Sequence, residues 1–228
     1  MNVEIWSDVV CPWCYVGKRR FETAMEGLGE SVTIQWRSFE LDPRAPARIE
    51  GDLTELLAKK YGMSVEKARE MGEHVTNVGA QDGIEFKFSD AKTGNTFDAH
   101  RLIQWAQSLG KGGVMKERLM KAYFTDGVVI SDRDALITLA AEVGLDRESA
   151  VAALDDPTWA AQVRKDQERA RDLGITGVPF FVFEQKFAVS GAQPASVLRE
   201  AILDLITKTT PQTADGVVCS ETACETGA

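Results

Sequence analysis

The fold of this chain is indicated by one stretch of its sequence, Val3-Glu4-Ile5-Trp6-Ser7-Asp8-Val9-Val10-Cys11-Pro12-Trp13-Cys14. Its first part, Val3 to Val10, is apolar and β-branched as in a buried strand, and it ends directly at Cys11. From Pro12 to about Leu28 the apolar residues recur at helical spacing. Ser31 to Leu41 then alternates apolar and polar residues, as a half-buried strand does. The opening of the chain therefore predicts a strand, a helix and a second strand.

A long helical stretch follows this unit. The segment Asp42-Pro43-Arg44-Ala45-Pro46 interrupts the pattern, and little strand signal returns before Leu173-Gly174. Ser131-x-x-Asp134 and Asp156-Pro157 are typical helix entry signals. We interpret the apolar stripes Leu102/Trp105/Ala106/Leu109 and Leu119/Ala122/Tyr123 as packing between helices. The predicted helices of this stretch begin near Asp52, Ser64, Asn95, Gly113, Ser131 and Asp156.

The strand signal returns near the end of the chain. Phe180 to Phe183 and Phe187 to Val189 are two short apolar runs, and the turn Glu184-Gln185-Lys186 between them predicts a hairpin. Pro194 to Thr207 has the pattern of an amphipathic helix. From Thr209 onward the composition is polar and small, which predicts a mobile tail.

Composition limits the possible functions. The chain of 228 residues is 44% hydrophobic and 27% charged, so it can form a sizeable core. Its formal net charge of -9, without a basic cluster, argues against nucleic acid as a partner. Neither a signal-like leader nor an apolar run of membrane-spanning length is present, so we expect a cytoplasmic protein without a membrane partner. The oligomeric state cannot be inferred.

The four cysteines fall into two pairs at opposite ends of the chain, Cys11/Cys14 and Cys219/Cys224. In a reducing compartment such pairs are catalytic, redox-sensing or metal-binding more often than structural. A thiol with a pKa of roughly 8.5 is mostly protonated at neutral pH, but the first turn of a helix favours the thiolate. We therefore predict that Cys11 attacks a disulfide and that Cys14, one turn further on, resolves the mixed disulfide.

Several motifs together carry a resemblance to a known family. The chain resembles the DsbA-like branch of the thioredoxin superfamily, and within it the cytoplasmic FrnE-like group. The resemblance covers nearly the whole chain, and the order of its motifs makes it specific. The matching segments are Ser7 to Gly17, Trp36 to Pro43, Asn95 to Leu102, Gly177 to Val182, and the paired cysteines of the tail.

The resemblance implies roles for residues outside the first motif. It implies that the Val178–Pro179 bond is cis, that Pro179 packs opposite Cys11 as part of the catalytic site, and that Val178 offers backbone groups to an extended substrate. Pro12, Trp13 and Val178 are the predicted substrate-binding residues. Cys219 and Cys224 are predicted to form a second redox pair that serves the first.

The predicted fold is α/β. It consists of a thioredoxin-like mixed sheet with a helical domain inserted between its β-α-β and β-β-α halves. The corresponding domains are 1–44 and 174–208 for the two halves, 45–173 for the insertion and 209–228 for the tail.

The predicted function is protein disulfide reductase or isomerase activity on protein or small-molecule disulfides and thiols, glutathione among them. No cofactor and no metal are expected. One alternative is a glutathione-dependent isomerase or transferase of the hydroxychromene-carboxylate isomerase type, although such enzymes present a serine where Cys11 stands. Another alternative is a soft-metal-binding protein that uses all four thiolates.

We interpret His100 as a structural histidine, and the carboxylates Asp8 and Glu40 as solvated.

Overall fold

The protein, as a computed structural model, is described over residues 1–28 and 32–209. That part of the chain contains four strands and nine helices. In chain order the elements are β1 (Asn2–Ser7), α1 (Pro12–Met25), β2 (Thr33–Ser38), α2 (Leu53–Tyr61), α3 (Val65–Gln81), α4 (Phe97–Ser108), α5 (Gly112–Phe124), α6 (Arg133–Glu142), α7 (Arg147–Asp155), α8 (Pro157–Asp172), β3 (Phe180–Phe183), β4 (Phe187–Ser190) and α9 (Ala195–Thr209).

The four strands form one mixed sheet in the order β2-β1-β3-β4. Strands β1 and β2 are parallel, with Ile5 opposite Trp36, and α1 is the crossover between them. Strand β3 runs antiparallel to β1, where Phe181 lies opposite Ile5, and it forms a hairpin with β4. The α/β class, the β-α-β and β-β-α halves, and the helices between them are as predicted. The division into separate domains stays a prediction.

The second strand is shorter and more exposed than its alternating pattern predicts. It covers Thr33–Ser38, and Ile34 is 36% exposed whereas Trp36 is buried. Strand β2 lies at the edge of the sheet, and side chains of α4 bind its second half. Gln104 Nε2 donates to the carbonyl oxygen of Trp36 at 3.0 Å, and Gln107 Oε1 accepts from the Trp36 amide at 2.6 Å.

Two helix starts within the insertion differ from the prediction. Helix α7 was not predicted, although Asp146 caps it by accepting a hydrogen bond from the Ser149 amide at 2.8 Å. Helix α6 is capped by Asp132, and the predicted cap Ser131 instead donates its hydroxyl hydrogen bond to the carbonyl oxygen of Ala47. A side chain with a distant partner cannot cap its own helix, and that partner is invisible in the local pattern.

Sheet and insertion share a large hydrophobic core, and a second, smaller cluster consists of Trp6, Ala170, Ile175 and Val182. The stripe of α4 is buried at Leu102, Trp105 and Ala106, but Leu109 is 54% exposed because the helix ends there. No described helix combines the length and the apolar character that spanning a membrane requires.

One carboxylate joins α1 to the insertion. Glu117 of α5 accepts hydrogen bonds from the Tyr15 hydroxyl at 2.6 Å, Lys18 Nζ at 2.7 Å and Arg19 Nη2 at 2.5 Å. Lys18 is itself buried, so at least part of this cluster is shielded from water. The helix that carries both cysteines is therefore held by charge-assisted bonds as well as by apolar contact.

Two glycines of α3 provide a matched test of the packing around the aromatic cluster. A methyl group at Gly79 would come 2.3 Å from Phe86 Cε2, and that ring is held between Phe88 and Phe124. Gly79→Ala should therefore lower the free energy of unfolding, by about 1 to 3 kcal/mol. In Gly72→Ala the nearest atom, Phe88 Cδ2, is at 3.8 Å, so helix propensity should raise stability by up to about 1 kcal/mol.

Urea denaturation of both variants measures the difference. Opposite signs for the two substitutions are expected, and equal effects would contradict the packing described here.

Candidate active site

Cys11 and Cys14 lie at the start of α1. Cys11 is the N-cap residue with an extended backbone (φ -94°, ψ 112°), Pro12 occupies the first turn, and Cys14 follows within that turn. Cys11 is 5% exposed and Cys14 is 1% exposed. Strand β1 delivers the chain to this point, and the turn is closed by a hydrogen bond from the Cys14 amide to the Cys11 carbonyl oxygen at 3.0 Å. Cys11 is therefore the more accessible residue of the pair.

The loop before β3 lies against this turn. The Val178–Pro179 peptide bond is cis, in agreement with the resemblance. Cys11 Sγ lies 3.6 Å from the carbonyl oxygen of Val178. This approach requires a glycine on α1, because a methyl group at Gly17 would be 2.8 Å from Pro179 Cγ. Gly17 belongs to the motif quoted above, but the sequence alone does not reveal what it contacts.

The predicted substrate-binding residues border the pair. Pro12, Trp13 and Val178 are each partly buried, whereas Pro179 is buried. The Trp13 ring lies 6.1 Å, centroid to centroid, from the imidazole of His74 on α3. His74 is exposed, so helix α3 of the insertion contributes a side chain next to the Cys11 motif.

The two thiols share their ionisation. The pKa of Cys11 is raised well above its ordinary range, first by the hydrogen bond between the two sulfurs and then by burial. For Cys14 burial also opposes the charge, but the hydrogen bond from Cys11 and the positive charge of Lys116 more than offset burial and lower the pKa. Of the two thiols, Cys14 therefore loses its proton more readily, and Cys11 holds its proton more firmly.

This distribution differs from the sequence-based prediction, which placed the lowered pKa at Cys11. No amide of the first turn caps the Cys11 sulfur in good geometry, since the Cys14 amide is hydrogen-bonded to the Cys11 carbonyl oxygen. The Cys14 sulfur instead has the Lys116 charge and the Ser7 hydroxyl near it. That hydroxyl is buried without a partner of normal hydrogen-bond geometry, and so it is available to a thiolate.

The interpretation of Asp8 and Glu40 as solvated carboxylates is wrong. Asp8 is 1% exposed, and its carboxylate accepts from the Leu41 amide at 2.8 Å and from His100 Nε2 at 3.2 Å. Burial favours the neutral acid, but these bonds hold the pKa of Asp8 below its usual value. Glu40 is buried too, where it accepts from Arg164 and Gln167 of α8. His100 is equally buried, which fits its interpretation as a structural histidine.

One buried residue near the cysteines was missed by the sequence analysis. Lys116 of α5 is 1% exposed, and its Nζ donates to the carbonyl oxygen of Ser7 at 3.0 Å. The sequence does contain a signal, because Lys116 precedes Leu119 by three residues and Tyr123 by seven, on the buried face of the helix. A lysine in an apolar stripe is a candidate for a buried charge, but its partner is not visible in the sequence.

The second cysteine pair, Cys219 and Cys224, lies outside the described residues. Among residues 1–28 and 32–209, no group of three or more His, Cys, Asp or Glu side chains is placed to hold a metal ion.

Comparison with solved structures places this arrangement among disulfide oxidoreductases. The probable DsbA oxidoreductase SCO1869 from Streptomyces coelicolor is 38% identical, with a TM-score of 0.86 and full coverage of both chains. The cytosolic disulfide reductase DsbM from Pseudomonas aeruginosa, also solved with GSH, shares the fold at 19% identity and a TM-score of 0.66, over 91% of this chain and 100% of DsbM.

A 2-hydroxychromene-2-carboxylate isomerase also has this fold. It is 13% identical with a TM-score of 0.67, over 91% of this chain and 97% of the isomerase. At such identities the likeness concerns the fold alone.

The family model of the DSBA-like thioredoxin domain matches residues 2–203. This match spans every strand and helix from β1 to β4 and most of α9, and it includes both Cys11 and Pro179. Fold and family together support thiol–disulfide oxidoreductase activity in general. The chain therefore belongs to the family of DSBA-like thioredoxin domains.

Proposed function

We propose that this protein is a protein disulfide reductase or isomerase, in which Cys11 attacks a substrate disulfide and Cys14 resolves the mixed disulfide. The observation that carries the proposal is the position of the Cys11 sulfur. Cys11 is the more exposed residue of a buried pair, and its sulfur lies 3.6 Å from the Val178 carbonyl oxygen.

The shared proton reconciles the charge on Cys14 with attack by Cys11. The two sulfurs are hydrogen-bonded to each other, so the proton of Cys11 can move to Cys14 as a substrate sulfur approaches. Cys11 then attacks as the thiolate, forms a mixed disulfide and releases one substrate thiolate. Cys14 subsequently attacks the Cys11 sulfur, and its proton passes to the second substrate sulfur, which leaves as a thiol. The protein is left with a Cys11–Cys14 disulfide.

The loop opposite the pair positions the substrate in this proposal. Val178 and Pro179 face the sulfur of Cys11, and an extended chain lying beside them can hydrogen-bond to the Val178 backbone. Trp13 lies between the two cysteines in the sequence, and its ring is next to that of His74, so in this proposal both side chains contact residues that flank the substrate disulfide.

The direction of exchange follows from the compartment and the reduction potential. We propose a cytoplasmic location, where a reducing thiol pool favours reduction or isomerisation over oxidation. The shared fold of the cytosolic reductase DsbM, which has been solved with GSH, is consistent with glutathione as a reductant. Membership of the FrnE-like group, and the second redox pair Cys219/Cys224, stay predictions from the sequence.

One experiment tests the proposal against its alternatives. The Cys11/Cys14 couple is titrated in a glutathione redox buffer, with and without zinc, while insulin reduction and reactivation of a scrambled disulfide protein are assayed in parallel. A reversible two-electron couple with turnover in either assay supports the proposal. The proposal is contradicted if neither a reversible couple nor turnover is observed, or if zinc binds and requires all four cysteines.

Cysteine variants should separate the two roles. Cys11→Ser should abolish exchange, because it removes the attacking sulfur. Cys14→Ser should still attack but remain as a trapped mixed disulfide, since no second thiol releases the substrate. Mass spectrometry of each variant after incubation with a disulfide peptide measures this. Trapping on Cys14 in the Cys11→Ser variant would reverse the assignment of roles.

The isomerase alternative has support from the shared fold. We expect no glutathione-dependent isomerisation of 2-hydroxychromene-2-carboxylate by the protein, because a thiol occupies the position where a serine is typical of those enzymes. The measurement is the absorbance change of that substrate with glutathione present, for the protein and for Cys11→Ser. Isomerisation by the unmodified protein at enzymatic rates would favour the alternative.

A further inference from the structure

Lys116 is a buried cation whose compensating charge depends on the redox state of the cysteines. Its side chain is 1% exposed, and its only hydrogen-bond acceptor among the residues that the structure describes is the Ser7 carbonyl oxygen at 3.0 Å. None of the described carboxylates lies within ion-pair distance of its Nζ. An ammonium ion buried with one neutral acceptor is costly unless an anion lies nearby.

Some charged groups around the Lys116 ammonium keep their charge in both redox states of the cysteines, and others do not. Asp8 is anionic in both redox states but is already engaged by His100 and the Leu41 amide. The Trp36 ring lies 5.6 Å from Nζ and offers only a weak cation–π contact. The titratable groups around this site are Cys11, Cys14 and Lys18 on α1, Asp8 before α1, His100 on α4, and Tyr123 on α5.

We propose that Lys116 is a redox-linked proton site, charged while the cysteines are reduced and neutral once they form a disulfide. This inference rests on the proposed disulfide exchange, and it makes Lys116 a positioning residue for charge in that reaction. The thiolate of the reduced pair is the anion that compensates the ammonium. When the disulfide forms, that anion disappears and the buried ammonium loses its proton.

The electrostatics of the site support this coupling. Burial lowers the pKa of Lys116 to about 8, and the Cys14 sulfur is the first of the groups that oppose this effect, ahead of Asp8 and Cys11. Loss of the thiolate must lower the pKa further, because the largest opposing charge is then absent. Lys116 consequently titrates near neutral pH, where its protonation can follow the redox state.

The reaction balances without a net change of charge in the core. The reduced protein holds one thiol, one thiolate and the Lys116 ammonium, and the substrate is a disulfide. The products are the Cys11–Cys14 disulfide, a neutral Lys116 amine and two substrate thiols. Two electrons pass from the cysteines to the substrate, one proton comes from the thiol and the other comes from Lys116.

The proton affinity of Lys116 can be measured directly in the unmodified protein. Lysine side chains labelled with ¹³C at the ε-carbon are followed by NMR across a pH titration, in the reduced and in the disulfide form. The Lys116 signal is assigned from its proximity to the Trp36 ring and from its absence in Lys116→Met. We expect its midpoint to be at least one pH unit lower in the disulfide form, a tenfold loss of proton affinity. The signal of the exposed Lys121 on the same helix serves as the control.

The reciprocal effect gives a second readout. Because coupling between two sites is mutual, removal of the Lys116 charge should raise the midpoint of thiolate absorbance near 240 nm by a similar amount. Lys116→Met should show this rise, and Lys121→Met should not. If Lys116→Met does not fold, the NMR titration of the unmodified protein still tests whether the proton affinity of Lys116 depends on the redox state of the cysteines.

The outcomes separate this inference from the proposed function. If no Cys11–Cys14 disulfide forms reversibly with glutathione, the proposed function fails. If the disulfide forms and exchange proceeds, but Lys116 has the same midpoint in both forms, only the redox-linked proton site is overturned.

Discussion

The contact between α1 and Pro179 is the constraint on which the candidate site depends. A methyl group at Gly17 would be 2.8 Å from Pro179 Cγ, so the helix and the loop before β3 meet at a distance that only glycine permits. That contact brings two parts of the chain separated by the whole helical insertion to one point. The 3.6 Å approach of Cys11 Sγ to the Val178 carbonyl oxygen is its consequence.

Burial determines how Cys11 and Cys14 ionise. Cys11 and Cys14 are both almost inaccessible, so a second negative charge on the pair would be strongly unfavourable, and the ionisations of the two thiols are linked. The hydrogen bond from Cys11 and then the charge of Lys116 favour ionisation at Cys14. Cys11 remains the more accessible residue of the two.

Helix α5 of the insertion contributes side chains next to the two cysteines and to helix α1. Its consecutive residues Lys116 and Glu117 point to different partners, one to the end of β1 and the other to the side chains of α1. The insertion therefore carries a charge for the cysteines and at the same time anchors the helix on which they lie. Helix α3 adds His74 beside Trp13.

The sequence by itself determined the order of the elements, the cysteine motif and the family resemblance. These follow from local patterns: apolar runs of strand length, helical periodicity, and glycine or proline at the boundaries. Tertiary structure decided the rest, because it depends on partners that are distant along the chain. Asp8 is buried and bonded to His100, the Ser131 hydroxyl binds the Ala47 carbonyl oxygen instead of capping its helix, and the pKa of Cys14 is lowered by Cys11 and Lys116. A pKa depends on burial and on charges nearby in space, and neither can be read from spacing along one chain.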